Sequence, residues 1–119
     1  MLVTLIALSW LVGVAYAIGG VAKLAGVGVM RKDAEHFGFS YRLYRLIGAL
    51  ELLGGIGVAA GLLLKPIGLA AAAGLALLMA GAVVAHVRAK DPVGKTAPAA
   101  VCGLLCIAII VLHALSLVD

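Results

Sequence analysis

The chain has 119 residues, 66% hydrophobic and only 12% charged, with a net charge of +4. Soluble domains run at about 45–50% apolar, so this composition and the mean hydropathy of +1.27 exclude an ordinary water-soluble domain. Nucleic-acid binding is not expected despite the basic balance, because the Lys and Arg residues collect at the ends of apolar runs, where they orient a membrane protein.

One helical crossing takes roughly 20 apolar residues. Four crossings and three short connections therefore nearly exhaust the chain, leaving no room for a soluble catalytic domain. The predicted architecture is all-α: an integral membrane four-helix bundle forming a single membrane domain over residues 1–119, with both the N and C termini outside.

The first predicted helix covers about residues 2–24, with Lys23 as its one charge. Ala15-Tyr16-Ala17 resembles a leader cleavage site. No Lys or Arg precedes the apolar run, so the segment reads as a retained helix. A polar, aromatic-rich connection follows, with Phe37, Phe39, Tyr41 and Tyr44 in or beside it. Aromatic rings favour the membrane interface, so this connection is expected to lie along the membrane surface as a short amphipathic turn.

The second predicted helix covers about 43–64 and the third about 67–87. Lys65-Pro66 turns the chain between them, and proline suits the first turn of a helix. Gly57 and Gly61 form a small-xxx-small pair, and Gly74 and Gly81 lie a heptad apart. Such positions let helices approach closely in lipid, either inside the bundle, the preferred reading, or at a homodimer seam. Asp91-Pro92-Val93-Gly94 is turn chemistry. Thr96 then reads as the N-cap of a fourth helix over about 97–118.

Eight of the nine Lys and Arg residues lie in or beside the first and third connections: Lys23, Arg31, Lys32, Arg42 and Arg45, then Arg88, Lys90 and Lys95. Lys65 alone marks the second. That asymmetry predicts a cytoplasmic location for the first and third connections.

Glu51 is the anomaly. It lies within Gly48-Ala49-Leu50-Glu51-Leu52-Leu53, roughly 9 Å deeper than Arg45 along a helix. A carboxylate at that depth must be paired or protonated, which makes it a candidate functional residue. The topology offers Lys23, Arg45 and His86 as partners at the same end of the bundle. Lys23, Arg45, Glu51 and His86 are the candidate ligand-binding residues, and Glu51 and His86 the candidate catalytic pair, since a carboxylate and an imidazole held together can move protons. A salt bridge that only fixes helix packing is the competing reading.

Cys102 and Cys106 share one helix face. They read first as small buried hydrophobes, with a redox or metal role as the alternative. Cys106 and His113 lie about 10 Å apart along a helix, too far to share one metal, so no metal site is expected. His113 reads as an interfacial residue. The sequence holds no phosphate-binding glycine loop, no H-E-x-x-H and no C-x-x-C, and no cofactor can be named from it.

Gly20-Val21-Ala22-Lys23-Leu24 resembles the first motif of the DoxX-like family of small four-helix membrane proteins. Arg45-Leu46-Ile47-Gly48-Ala49-Leu50-Glu51-Leu52-Leu53-Gly54-Gly55 is similar to its second motif, and Met79-Ala80-Gly81-Ala82-Val83-Val84-Ala85-His86 to its third. The similarity covers about residues 19–88, and R-x-x-G-x-x-E is its most specific part. The resemblance implies a four-helix bundle with Lys23, Arg45, Glu51 and His86 as the family's polar positions, in a bacterial inner (plasma) membrane. The family takes its name from a subunit of a thiosulfate:quinone oxidoreductase. Similar proteins are linked to redox-stress complexes or to the assembly of other membrane proteins.

Three functions stay open on these grounds. The first is an accessory subunit or binder of a hydrophobic small molecule, quinone or lipid-like, held through the Lys/Arg/Glu/His cluster. The second is a small membrane enzyme, redox-linked or acid/base, acting on a lipophilic substrate. The third is a purely structural subunit of a larger membrane complex. The expected partners are the lipid bilayer, such a ligand, and further copies of the chain or a larger complex.

Overall fold

The computed structural model describes residues 1–26 and 28–116. Among these, all regular structure is helical, in five helices: α1 (Leu2–Ala25), α2 (Gly28–Phe37), α3 (Tyr41–Ala60), α4 (Lys65–Arg88) and α5 (Val93–Leu115). All but α2 are long and apolar enough to cross a membrane. A 24-residue helix such as α1 is about 36 Å long, more than a hydrocarbon core of about 30 Å.

The four long helices pack α1 on α3, α3 on α4, α4 on α5 and α5 on α1. Their shared core is thin: Leu5, Val12, Val58, Leu75, Cys106 and Ile109 are among its members. Many other large apolar side chains face outward, Leu63 at 83% and Leu77 at 76% exposure among them. A monomeric soluble protein rarely exposes apolar surface this contiguous; a lipid-solvated bundle needs it.

Glycine decides how closely the helices meet. Gly13 and Gly20 on α1 face Gly55 and Gly48 on α3, each pair seven residues apart. A Cβ on Gly20 would lie 2.5 Å from the Gly48 carbonyl oxygen, and one on Gly55 would lie 2.6 Å from that of Gly13. The two backbones are therefore in contact, as small-residue seams in membranes allow. The predicted pair Gly57 and Gly61 packs inside the bundle, on Ala71 and Gly68 of α4. Gly74 and Gly81 meet nothing within 4 Å.

Several boundaries differ from the predicted ones. The first connection holds a full helix, α2, between two left-handed glycines, Gly26 (φ 75) and Gly38 (φ 74). Helix α3 starts earlier, at Tyr41, because the Ser40 hydroxyl caps it by accepting from the Leu43 N–H at 3.1 Å. It ends at Ala60, where Leu62 and Leu63 turn back on the Ala59 and Ala60 carbonyls. Helix α4 starts at Lys65 with Pro66 in its first turn.

Thr96 does not cap α5. The helix begins at Val93 with Pro92 at the cap, and the Pro92 carbonyl accepts from the N–H groups of Lys95 and Thr96 and from the Thr96 hydroxyl. Pro98 consequently sits inside the helix. The predicted end of that helix at Val118 lies outside the described residues.

Candidate ligand-binding cavity

The close approach of α1 and α3 sets the first part of the site. Gly20 against Gly48 brings the two helices together one turn from Lys23 and Glu51. Lys23 Nζ then reaches Glu51 Oε1 at 2.8 Å, with the two side chains 15% and 7% exposed. Gly19 leaves room for the carboxylate, since a Cβ there would stand 3.1 Å from Glu51 Oε2. The ammonium also lies 5.3 Å from the centre of the Tyr44 ring. Neutralisation by a close cation lets an ionised carboxylate persist in a bundle interior.

This pair lies on the wall of a cavity of about 510 Å³ at the same end of the bundle. Its walls are mostly apolar, from Ile47 on α3, Leu78 and Ala82 on α4, and Ala99 on α5. Polar lining comes from Lys23, Glu51, Tyr16, Tyr44, His86 and Cys102. Gly81 also lines it, and the absence of any atom near its Cβ position leaves that wall open. Phe37 and Phe39, at the end of α2, also line it, and the exposed Leu77 marks its open side.

His86 is at the cavity but takes a partner other than Glu51. Its Nδ1 lies 2.7 Å from Asp91 Oδ2, and His36 Nε2 lies 2.6 Å from Asp91 Oδ1. Both imidazoles thus clamp one carboxylate, whose side chain is 4% exposed. The hydrogen bond from His86, aided by His36 against the opposing effect of burial, holds the Asp91 carboxyl below its ordinary range. Phe37 meets the His86 ring edge-on, with centroids 5.0 Å apart. The clamp therefore ties α2 to the α4–α5 connection and sets Phe37 against the cavity.

Local backbone geometry makes this clamp. Lys90 adopts a left-handed conformation (φ 59). The Lys90 N–H donates to the Val87 carbonyl and the Asp91 N–H to the His86 carbonyl, each at 3.0 Å. That is the hydrogen-bond pattern of a Schellman helix end, and it folds Asp91 back over His86.

Of the four predicted ligand-binding residues, Lys23, Glu51 and His86 share the cavity and Arg45 does not. Arg45 is exposed on the face of α3 turned away from it. It stands six residues from Glu51, and 600° of helical rotation carries it well off the Glu51 face. The sequence reading missed Asp91 and His36, which look like ordinary connection residues. It also missed Tyr16 and Tyr44, which read as apolar or interfacial.

Cys102 lines the cavity and Cys106 is buried in the core beside it. Both are free thiols, and the Tyr16 hydroxyl lies close to them. His113, in the last turn of α5, is turned into the bundle. It is 3% exposed and its Nε2 is directed at Gly68, where the missing side chain makes room for the ring. Among the described residues, no three His, Cys, Asp or Glu side chains are arranged to hold a metal ion.

A bundle of four helices long and apolar enough to cross a membrane, with outward apolar surfaces and a polar-edged cavity between the helices, defines a multi-pass membrane protein. The chain belongs to the DoxX-like family, whose model matches residues 7–109. No curated protein and no solved structure matches it.

Proposed function

We propose that this protein binds a hydrophobic small molecule, quinone or lipid-like, inside the bundle, with the molecule's polar end at Lys23 and Glu51. The observation that carries this reading is the Lys23–Glu51 pair on the wall of an otherwise apolar cavity of about 510 Å³. Ligand sites commonly measure about 300–1,000 Å³ and combine apolar walls with a few polar groups. A pair that served packing alone would need no open space beside it. His86 and Asp91 would hold α2 against the bound molecule. By the asymmetry of Lys and Arg, the cavity end faces the cytoplasm of a bacterial inner membrane, with both termini outside.

Native mass spectrometry on protein released gently from its own membrane tests this reading. A co-purifying small molecule is expected, depleted in Glu51→Gln and in Gly81→Leu. The second variant places a side chain into the cavity without touching the ion pair. A chain that retains no small molecule and instead carries a stoichiometric protein partner would overturn it in favour of the structural-subunit reading.

A further inference from the structure

The charges on the cavity wall come already answered. Lys23 is matched by Glu51 at 2.8 Å. His86, a cation only when its ring is protonated, has the Asp91 carboxylate beside it at 2.7 Å. Among the described residues the cavity lining therefore presents no cation without a carboxylate beside it and no carboxylate without a cation: Lys23 has Glu51 and His86 has Asp91.

Hydrogen-bonding capacity is what remains. An ammonium has three N–H donors. Among the described residues Lys23 is bonded to Glu51 alone, with Tyr44 offering the face of its ring. The lining thus has donors to spare but no net charge. Bringing an ion into such a wall costs its desolvation with no counter-ion in return. An uncharged oxygen loses far less on leaving water.

Resting on the ligand-binding reading above, we propose that the ligand is uncharged at its polar end. It is an apolar molecule bearing a hydroxyl or an uncharged carbonyl oxygen (quinone, ester or amide) that accepts from Lys23. Fatty acids, phospholipids and amines are excluded as occupants. The cavity selects by the absence of charge, with Lys23 as the specificity-determining donor and Glu51 as the group that cancels its charge.

Matched probes of one chain length test this on the purified chain in detergent: dodecanol, dodecanamide, dodecanoate and dodecylammonium, each titrated by native mass spectrometry. The alcohol and the amide are expected to bind at least about tenfold more tightly than either ion, the factor given by about 1.4 kcal/mol. In Lys23→Met/Glu51→Leu, which removes the pair together, the alcohol and the amide are expected to bind more weakly, because the donor is gone, while both ions stay excluded by their desolvation cost. Dodecanoate or dodecylammonium binding as tightly as the alcohol would overturn the charge-neutral assignment while leaving the cavity as a binding site. If none of the four binds, and Gly81→Leu leaves the co-purifying molecules unchanged, both the assignment and the ligand-binding reading fall.

Discussion

Lys23 and Glu51 meet at 2.8 Å one turn from the point where Gly20 and Gly48 press α1 and α3 together. The ion pair and the glycine seam are parts of one device. The seam brings the two helices close enough for a lysine to reach a carboxylate inside the bundle, and the pair gives that crossing its register.

Removing one partner should therefore cost more than removing both. Glu51→Gln or Lys23→Met leaves a largely buried charge or donor unanswered, a loss of about 3–5 kcal/mol. Lys23→Met/Glu51→Leu should recover most of that loss. Unfolding in detergent, arranged as a double-mutant cycle, reads the difference. Additive single and double effects would mean that the pair is not coupled.

The seam itself makes a contrasting prediction. A Cβ at Gly20 would lie 2.5 Å from the Gly48 oxygen and 2.7 Å from the Leu52 nitrogen. Gly20→Ala should force α1 from α3 and destabilise the bundle by about 1–3 kcal/mol. Gly74→Ala meets nothing within 4 Å and should stabilise by about 0.5–1 kcal/mol, because alanine loses less freedom in a helix. Thermal unfolding of the two variants should move in opposite directions.

The Asp91 clamp should respond to acid. Its carboxyl is held below the ordinary range in the folded chain, so its contribution is fully present above the unfolded value of about 3.9. That contribution is lost as pH falls from there through the lower folded value. Hydrogen exchange of α2 amides should accelerate over that window and not at neutral pH. In Asp91→Asn the same amides should exchange faster at every pH, with the acid step gone.

Lys90 bears a conformation that suits glycine. A non-glycine residue in the left-handed region costs about 1–2 kcal/mol. Lys90→Gly should raise stability by up to that amount while keeping the His86–Asp91 contact. Lys90→Val, branched at Cβ, should lower stability and loosen α2, which thermal unfolding together with exchange of the α2 amides would register.

The sequence by itself determined the solvent and the main elements. Runs of twenty or so apolar residues interrupted by Lys, Arg, Asp and Pro can only be membrane helices, because each backbone polar group must be satisfied within its own segment. Glu51 was legible for the same reason: an acid with apolar neighbours on both sides needs an explanation. Lys23 was legible as the single charge closing the first helix.

Partner choice was decided by tertiary structure alone. Whether His86 turned to Glu51 or elsewhere depended on a left-handed Lys90 that brings Asp91 back over the helix end, and no spacing rule anticipates that at a lysine. Arg45 left the site because of its helical phase on α3, whose face toward α1 is fixed by Gly48 and Gly55. The cavity is likewise a product of packing: α3 and α4 close tightly at Gly61 and Gly68 and leave space near Gly81. Hydropathy is a property of each segment on its own, whereas a cavity and an ion pair depend on where two segments stand relative to each other.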